Sequence, residues 1–161
     1  MIKEKGKLYD LSIPALRRLA CQRGYYPAKD YKKAAIVDMI SETFSDVFNL
    51  WSGTLISADK SNEEKAKCFT DSLDGGAAFK LFKIVEVQLN KGGKFICGDK
   101  MTMADFCMCA LAFDYIKNPS GPMSGLIGPI VAQKFPKFNS YCTELEKENK
   151  KWLSSRQATP F

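Results

Sequence analysis

The sequence predicts an all-α protein, a bundle of five to seven helices around one buried central helix. Apolar residues recur three and four positions apart over most of the chain, two capping motifs mark helix starts, and no segment alternates as a strand does. The 161 residues, of which 45% are hydrophobic, suffice for one globular domain. A chain of this size can bury its own core without a disulfide or a metal.

The first predicted helix spans residues 13–23. Ser12 stands at its N-cap position and Pro14 lies in its first turn. Gly24 follows the helix, where a left-handed residue commonly ends one. The ten residues before Leu11 are polar, and we expect them to be extended.

Tyr25-Tyr26-Pro27 predicts a linker, because the residue before a proline avoids the helical region. A long amphipathic helix over about 30–52 follows the linker. Its lysine and acidic residues fall between apolar positions spaced three and four apart. Its C-terminal half contains the aromatic residues Phe44, Phe48 and Trp51.

Two capping boxes mark further helix starts. Ser61 and Glu64 match the motif in which a serine oxygen and a carboxylate each accept a bond from a free backbone N–H. Thr102 and Asp105 match it again, ahead of a segment over about 103–116 that is apolar on nearly every face. A helix apolar on all sides is buried on all sides, so this segment is the predicted central helix. We interpret these four capping residues as structural.

The remaining boundaries come from glycine and proline. Gly75-Gly76 breaks or kinks the helix that Ser61 starts, and Gly92-Gly93 ends its continuation. Residues 118–129, rich in both residue types, predict a loop. Pro136 opens the last helix.

Composition excludes several classes of function. The chain has no histidine, so serine–histidine, cysteine–histidine and histidine–metal chemistry are excluded. Its six cysteines form no C-x-x-C pair and sit mostly among apolar neighbours, as free thiols in a reducing compartment do. The net charge is +6, but acidic and basic residues interleave, so direct nucleic-acid binding is not predicted. No apolar run reaches the length of a membrane span.

Residues 98–106, GDKMTMADF, resemble the start of the central helix in the C-terminal domain of cytosolic glutathione transferases. That family has a glycine, a short spacer, a threonine or serine N-cap and an aspartate three residues later. Residues 135–138 and 152–156 follow in the family's order and approximate spacing. Residues 12–20 resemble the last helix of its N-terminal thioredoxin-like domain. The resemblance is closest to the sigma and mu-like classes.

The resemblance implies a polar N-terminal extension over 1–11, a remnant thioredoxin-like helix and linker over 12–27, and a helical domain over 28–161. It also implies that the rest of the thioredoxin-like domain is missing. In the family, that domain supplies almost every glutathione contact and the catalytic residue. Ser12 matches a position that holds the γ-glutamyl carboxylate and is the candidate glutathione-binding residue; its other interpretation is a helix cap.

The resemblance therefore implies a non-catalytic protein-interaction module, acting as a scaffold or accessory subunit of a larger complex, with no catalytic residue, cofactor or metal. The alternative is a whole or split glutathione transferase that conjugates glutathione to electrophiles; only then is glutathione a cofactor. A third possibility is an apolar-ligand binder. Phe44, Phe48 and Trp51 match the helix that borders the family's substrate pocket and dimer surface, or they are core residues.

The partners that the resemblance implies are other protein subunits, which include a homodimer or a heterodimer formed through the helical faces. The expected location is the cytoplasm or another reducing intracellular compartment, in keeping with the free thiols.

Overall fold

The computed structural model describes residues 2–4, 7–9 and 12–159, with side chains from Ser12 onward. Helices make up most of this part, which confirms the all-α prediction. None of these helices is both long and apolar enough to cross a membrane. The elements are β1 Ile2–Glu4, β2 Lys7–Tyr9, α1 Ser12–Arg23, α2 Tyr31–Ile56, α3 Asn62–Leu73, α4 Ala77–Leu89, α5 Met103–Ala110, a π-helical segment Leu111–Ile116, α6 Ser124–Lys134, α7 Pro136–Glu148 and α8 Lys150–Ser155.

The two strands pair antiparallel, with Ile2 opposite Tyr9 and Glu4 opposite Lys7. The sequence predicts an extended segment here but not its pairing. Strands of three residues are too short to show the alternation by which strands are recognised.

The helix boundaries follow local chemistry. Gly24 adopts φ +77° after α1, the left-handed conformation that the sequence predicts there. At the start of α3, the Ser61 N–H donates to Glu64 Oε2 (2.7 Å) and the Glu64 N–H donates to Ser61 Oγ (3.2 Å). Two of the N–H groups that a helix start leaves without partners are thereby satisfied.

The structure differs from the prediction at two helices. Helix α6 begins inside the predicted loop and contains Pro129, because burial of Ile127 and Val131 holds the segment against its neighbours. Tertiary packing here overrides the low helix propensity of proline. The predicted last helix is divided at Asn149, whose side-chain amide donates to the Leu145 carbonyl (2.8 Å) and ends α7.

The central helix continues from α5 into the π-helical segment. Its end shows the wider turn, since the Lys117 N–H donates to the Ala112 carbonyl five residues earlier (2.8 Å). Helix α6 packs closely here, because a Cβ on Gly128 would lie 3.1 Å from the Ile116 carbonyl oxygen. Glycine at this position permits the close approach of the two backbones.

The core is dominated by aromatic rings. Trp51 of α2 is fully buried, and its indole N–H donates to Ser72 Oγ (2.9 Å). Its ring lies 5.1 Å from Phe69 and 5.4 Å from Tyr115. A second set of buried rings joins α4 to α7, with Phe82 4.6 Å from Phe138. These contacts fix α2, α4 and α7 around the central helix.

Asp105, in the first turn of α5, is fully buried and accepts four hydrogen bonds. Thr102 donates its backbone N–H (2.7 Å) and its hydroxyl (2.8 Å) to Oδ2. The Ile96 N–H (3.1 Å) and the Tyr141 hydroxyl (2.6 Å) donate to Oδ1. One carboxylate thus joins the loop before α5, the start of α5 and the middle of α7.

Burial raises the pKa of the Asp105 carboxyl, and the hydrogen bonds from Tyr141, Ile96 and Thr102 oppose that rise. Burial, with the neighbouring Asp105 charge, also raises the pKa of Tyr141 well above its usual value. Tyr141 therefore keeps its proton and stays a donor to the carboxylate.

Tyr141→Phe should lower the free energy of unfolding by about 1.5–3 kcal/mol, because a buried hydrogen bond to a charged acceptor is lost. Asp105→Ala should cost about 3–5 kcal/mol, since it leaves several buried donors without an acceptor. Urea denaturation followed by circular dichroism measures both losses. The matched control is Tyr31→Phe, at a residue 78% exposed, which should change stability by less than about 0.5 kcal/mol. Equal stability of the two tyrosine variants would contradict this role of Asp105.

Candidate interaction surface

The central helix is not covered on every side. Most of its residues are buried, but Phe106, Cys109, Ala110 and Asp114 are only half-buried. Residues three and four apart lie on the same face of a helix, so these four form one stripe. The predicted central helix is therefore present with one open, largely apolar face, which we call the open stripe.

Two grooves lie beside the open stripe, and Phe106 lines both. The first groove, of about 180 Å³, lies between α1, the linker and α5. The second groove, of about 610 Å³, lies between α5 and the C-terminal residues. The first is lined by Leu16, Leu19, Ala20, Arg23, Tyr25 and Phe106. The second is lined by Phe106, Cys109, Ala110, Asp114, Asn149, Trp152, Arg156 and Thr159.

The linker holds the first groove in place. The Met103 N–H donates to the Tyr25 carbonyl (2.9 Å), and the Tyr25 and Phe106 rings meet edge to face with centroids 5.0 Å apart. Tyr25 is nevertheless 41% exposed and Leu19 40% exposed. The groove thus presents apolar surface to solvent while its backbone is fixed.

An ion-pair network ties α1 to α2. The Arg17 guanidinium donates to the Asp38 carboxylate (3.0 Å) and to Glu42 (3.3 Å), and the Tyr26 hydroxyl also donates to Asp38 (2.9 Å). Burial of Ile13, Ala15 and Ala20 completes the packing of α1. Helix α1 therefore has a defined position relative to the open stripe.

The C-terminal residues hold the second groove. The Arg156 guanidinium lies 2.7 Å from Asp114 and donates to the Phe113 carbonyl (3.2 Å). It also stands over the ring of Trp152, 5.4 Å from its centroid. Burial raises the pKa of Asp114, and the charge of Arg156 opposes that rise. Trp152 is 52% exposed, a large apolar side chain held at the edge of the groove.

The polar groups of the second groove bind each other or nearby backbone. Asp114 is paired with Arg156, and Asn149 donates to Cys109 Sγ (3.6 Å) and to the Leu145 carbonyl. Burial raises the pKa of the Cys109 thiol to about 12, so the thiolate nucleophile is scarce at neutral pH. Among the described residues, no group of three acidic or cysteine side chains is placed to hold a metal.

The sequence-predicted site residues lie elsewhere. Ser12 is the first residue of α1 and its side chain is exposed, but it lines neither groove. Phe44 and Phe48 are half-buried and contact each other, with centroids 5.5 Å apart. Trp51 is a core residue and not part of a surface or pocket, because Phe69, Tyr115 and Ser72 enclose it.

The residues of the open stripe were not predicted as a surface. Phe106 lies in the segment 103–116 that the sequence predicts to be buried on all sides, because apolar spacing is the same for a covered and an uncovered helix face. No signal in the sequence separates the two cases. Leu11 and the side chains before Ser12 lie outside the described residues.

A thiol reagent at about pH 8 should modify Cys21 first, because it is exposed on α1. Cys107, with a pKa raised to about 11, and Cys109 and Cys142, each raised to about 12, should stay unmodified in the native protein. Peptide mapping by mass spectrometry measures the order, and denaturation in urea should make all six thiols reactive. Modification of Cys142 as fast as Cys21 would contradict the burial described here.

Comparison with known proteins agrees with the helical architecture. A 2 Å structure of a Nu-class glutathione S-transferase from Haemonchus contortus matches 97% of this chain and 72% of that chain, with a TM-score of 0.68. Sequence identity is 24%, so this likeness establishes the fold alone. No curated protein sequence matches the chain significantly.

The sequence profile of the family described as "Glutathione S-transferase, C-terminal domain" matches residues 45–156, well over half of the 161 residues. The chain therefore belongs to the glutathione S-transferase family, through its C-terminal helical domain.

Proposed function

We propose that the chain is a non-catalytic protein-interaction module, a scaffold or accessory subunit that binds another protein through the open stripe and its two grooves. The observation that carries the proposal is the half-buried face of an otherwise buried helix, at Phe106, Cys109 and Ala110. A helix that is apolar on all sides is stable when all its sides are covered.

The chemistry of the surface supports protein binding. Large contiguous patches of exposed apolar surface commonly mark the sites where another protein binds. The side chains at the rims of the two grooves are Tyr25, Trp152, Arg23 and Arg156. Tyrosine, tryptophan and arginine are the residue types that contribute most to binding in protein interfaces.

In the second groove, the described groups that could activate a thiol nucleophile are already engaged. Glutathione reacts once a neighbouring donor stabilises its thiolate. Here the Arg156 charge is matched by Asp114, and the described hydroxyls near the second groove belong to Thr159, which contacts Arg156. This supports binding over catalysis at the second groove.

The second candidate function is a glutathione transferase. Its support is Ser12, which is exposed at the start of α1 where the family resemblance implies contact with the γ-glutamyl carboxylate. A helix N-terminus favours such an anion. A thioredoxin-like domain facing the open stripe would then complete the enzyme, with glutathione as its cofactor.

The partner that we propose is another protein subunit, in a heterodimer, a homodimer or a larger complex. Met39 and Leu50, exposed on α2, offer a second apolar surface for a homodimer. The six free cysteines support the cytoplasm or another reducing compartment as the location.

Ala110→Glu should abolish binding of the partner, because binding would bury a charge in the middle of the open stripe without a counter-ion. Tagged wild-type and variant proteins are purified from the native cells at near-physiological salt, and the ratio of each co-purifying chain to the bait is measured. We expect a fixed stoichiometric partner with wild type and at least about a tenfold lower ratio with the variant.

The matched control is Val87→Glu, which places the same charge at an apolar residue of α4 that is 57% exposed and lies outside both grooves. It should retain the partner. Circular dichroism and thermal unfolding establish that both variants fold. Recovery of wild type alone would overturn the proposal, and glutathione conjugation by the purified wild type would favour the transferase.

A further inference from the structure

A second polar feature lies away from the open stripe, where the start of α2 meets the loop after α4. Residues 29–33 and 91–100 hold six lysines against two aspartates, so they carry a formal +4 of the net +6 of the chain. The sequence does not reveal this cluster of positive charge, because the two segments are about sixty residues apart. The fold brings them to one cleft of about 180 Å³, lined by Lys33, Ile36, Gln88, Lys91, Gly92, Ile96, Cys97 and Gly98.

The two lysines of the cleft are not neutralised within the described part of the chain. Neither Lys33 nor Lys91 belongs to an ion pair there. The Lys91 ammonium donates to the neutral Gln88 amide oxygen (2.8 Å), which holds it at the cleft. Both side chains are exposed, so two ammonium groups that belong to no ion pair are accessible to an anion at the mouth of the cleft.

The nearby aspartates accept hydrogen bonds but keep their negative charge: burial raises the pKa of the Cys97 thiol, the Asp105 and Asp30 charges add to that rise, and the Lys33 charge opposes it. Asp30 accepts the Lys33 backbone N–H (3.1 Å) as the cap of α2, and Asp99 accepts the Lys94 backbone N–H (3.3 Å). Asp105, behind the 95–98 loop, is buried and accepts four hydrogen bonds. Lys94 pairs with Glu144 and Glu148 of α7.

The other residues that line the cleft leave room for a small chemical group. Ile36 is half-buried and Ile96 buried, so they provide an apolar wall. Gly98 adopts φ +116° and closes the tight 95–98 turn, in which the Phe95 and Gly98 backbones bond to each other. The Cys97 N–H has no acceptor among the described residues. The volume equals roughly six water molecules, enough for one oxyanion and a short apolar stem.

We propose that this cleft binds the phosphate or carboxylate group of a small molecule, with Lys33 and Lys91 as its charged ligands. Lysine binds such anions as a point charge, without the fixed geometry of arginine. The neutral Gln88 amide and the apolar wall then select a compact anion over an extended polyanion, because the cleft is small. This site is separate from the open stripe, and its function does not rest on the proposed protein partner.

The test uses the full chain labelled with nitrogen-15 and titrated with inorganic phosphate or with acetate at constant ionic strength. We expect saturable shifts of the Cys97 and Gly98 amide signals with at least one of the two anions, and the one that saturates identifies the preferred chemistry. The double variant Lys33→Gln, Lys91→Gln should bind at least about tenfold more weakly.

The matched control is Lys80→Gln, Lys83→Gln, at two exposed lysines of α4 that do not line the cleft. It should bind as wild type does. Shifts that do not saturate, or that weaken equally in both double variants, would mean an adventitious ion only and would overturn the proposal. Ala110→Glu should leave anion binding unchanged, so failure of the protein-partner proposal and failure of this one are distinguishable.

Discussion

The buried carboxylate of Asp105 is the constraint on which the arrangement of the helices depends. It gathers donors from the loop before α5, from the N-cap of α5 and from α7, and it does so where water cannot replace them. The direction in which α5 leaves its first turn is thereby fixed relative to α7. The open stripe faces solvent because α5 is oriented by this one group, while aromatic packing fills the other sides of the helix.

Helix α1 is held by a different type of interaction. The Arg17, Asp38 and Tyr26 contacts are only partly buried, and ion pairs of this kind each contribute little to stability. The apolar contacts of Ile13 and Ala20 therefore carry much of the attachment. The candidate interaction surface is thus composed of a central helix held by a buried carboxylate and a first helix held by apolar contacts and partly buried ion pairs.

Much of the fold could be predicted from the sequence because its signals are local. The capping residues at Ser61 and Thr102 and the left-handed Gly24 depend on neighbours within a few positions. Helix α6 could not be predicted, since the packing that stabilises it around Pro129 comes from residues distant in the chain. The candidate surface was missed for a related reason. An apolar side chain such as Phe106 or Trp152 has the same pattern whether another segment covers it or not, and the interleaved charges around Lys33 and Lys91 conceal a cluster that forms only on folding.

The two tryptophans of the chain occupy opposite environments. The indole of Trp51 is enclosed by other rings and bonded to Ser72, whereas that of Trp152 is half in solvent beside a guanidinium. Their fluorescence must differ in emission wavelength and in access to soluble quenchers. The protein therefore carries two built-in optical reporters, one in the core and one at the open face, and they can be separated without any added label.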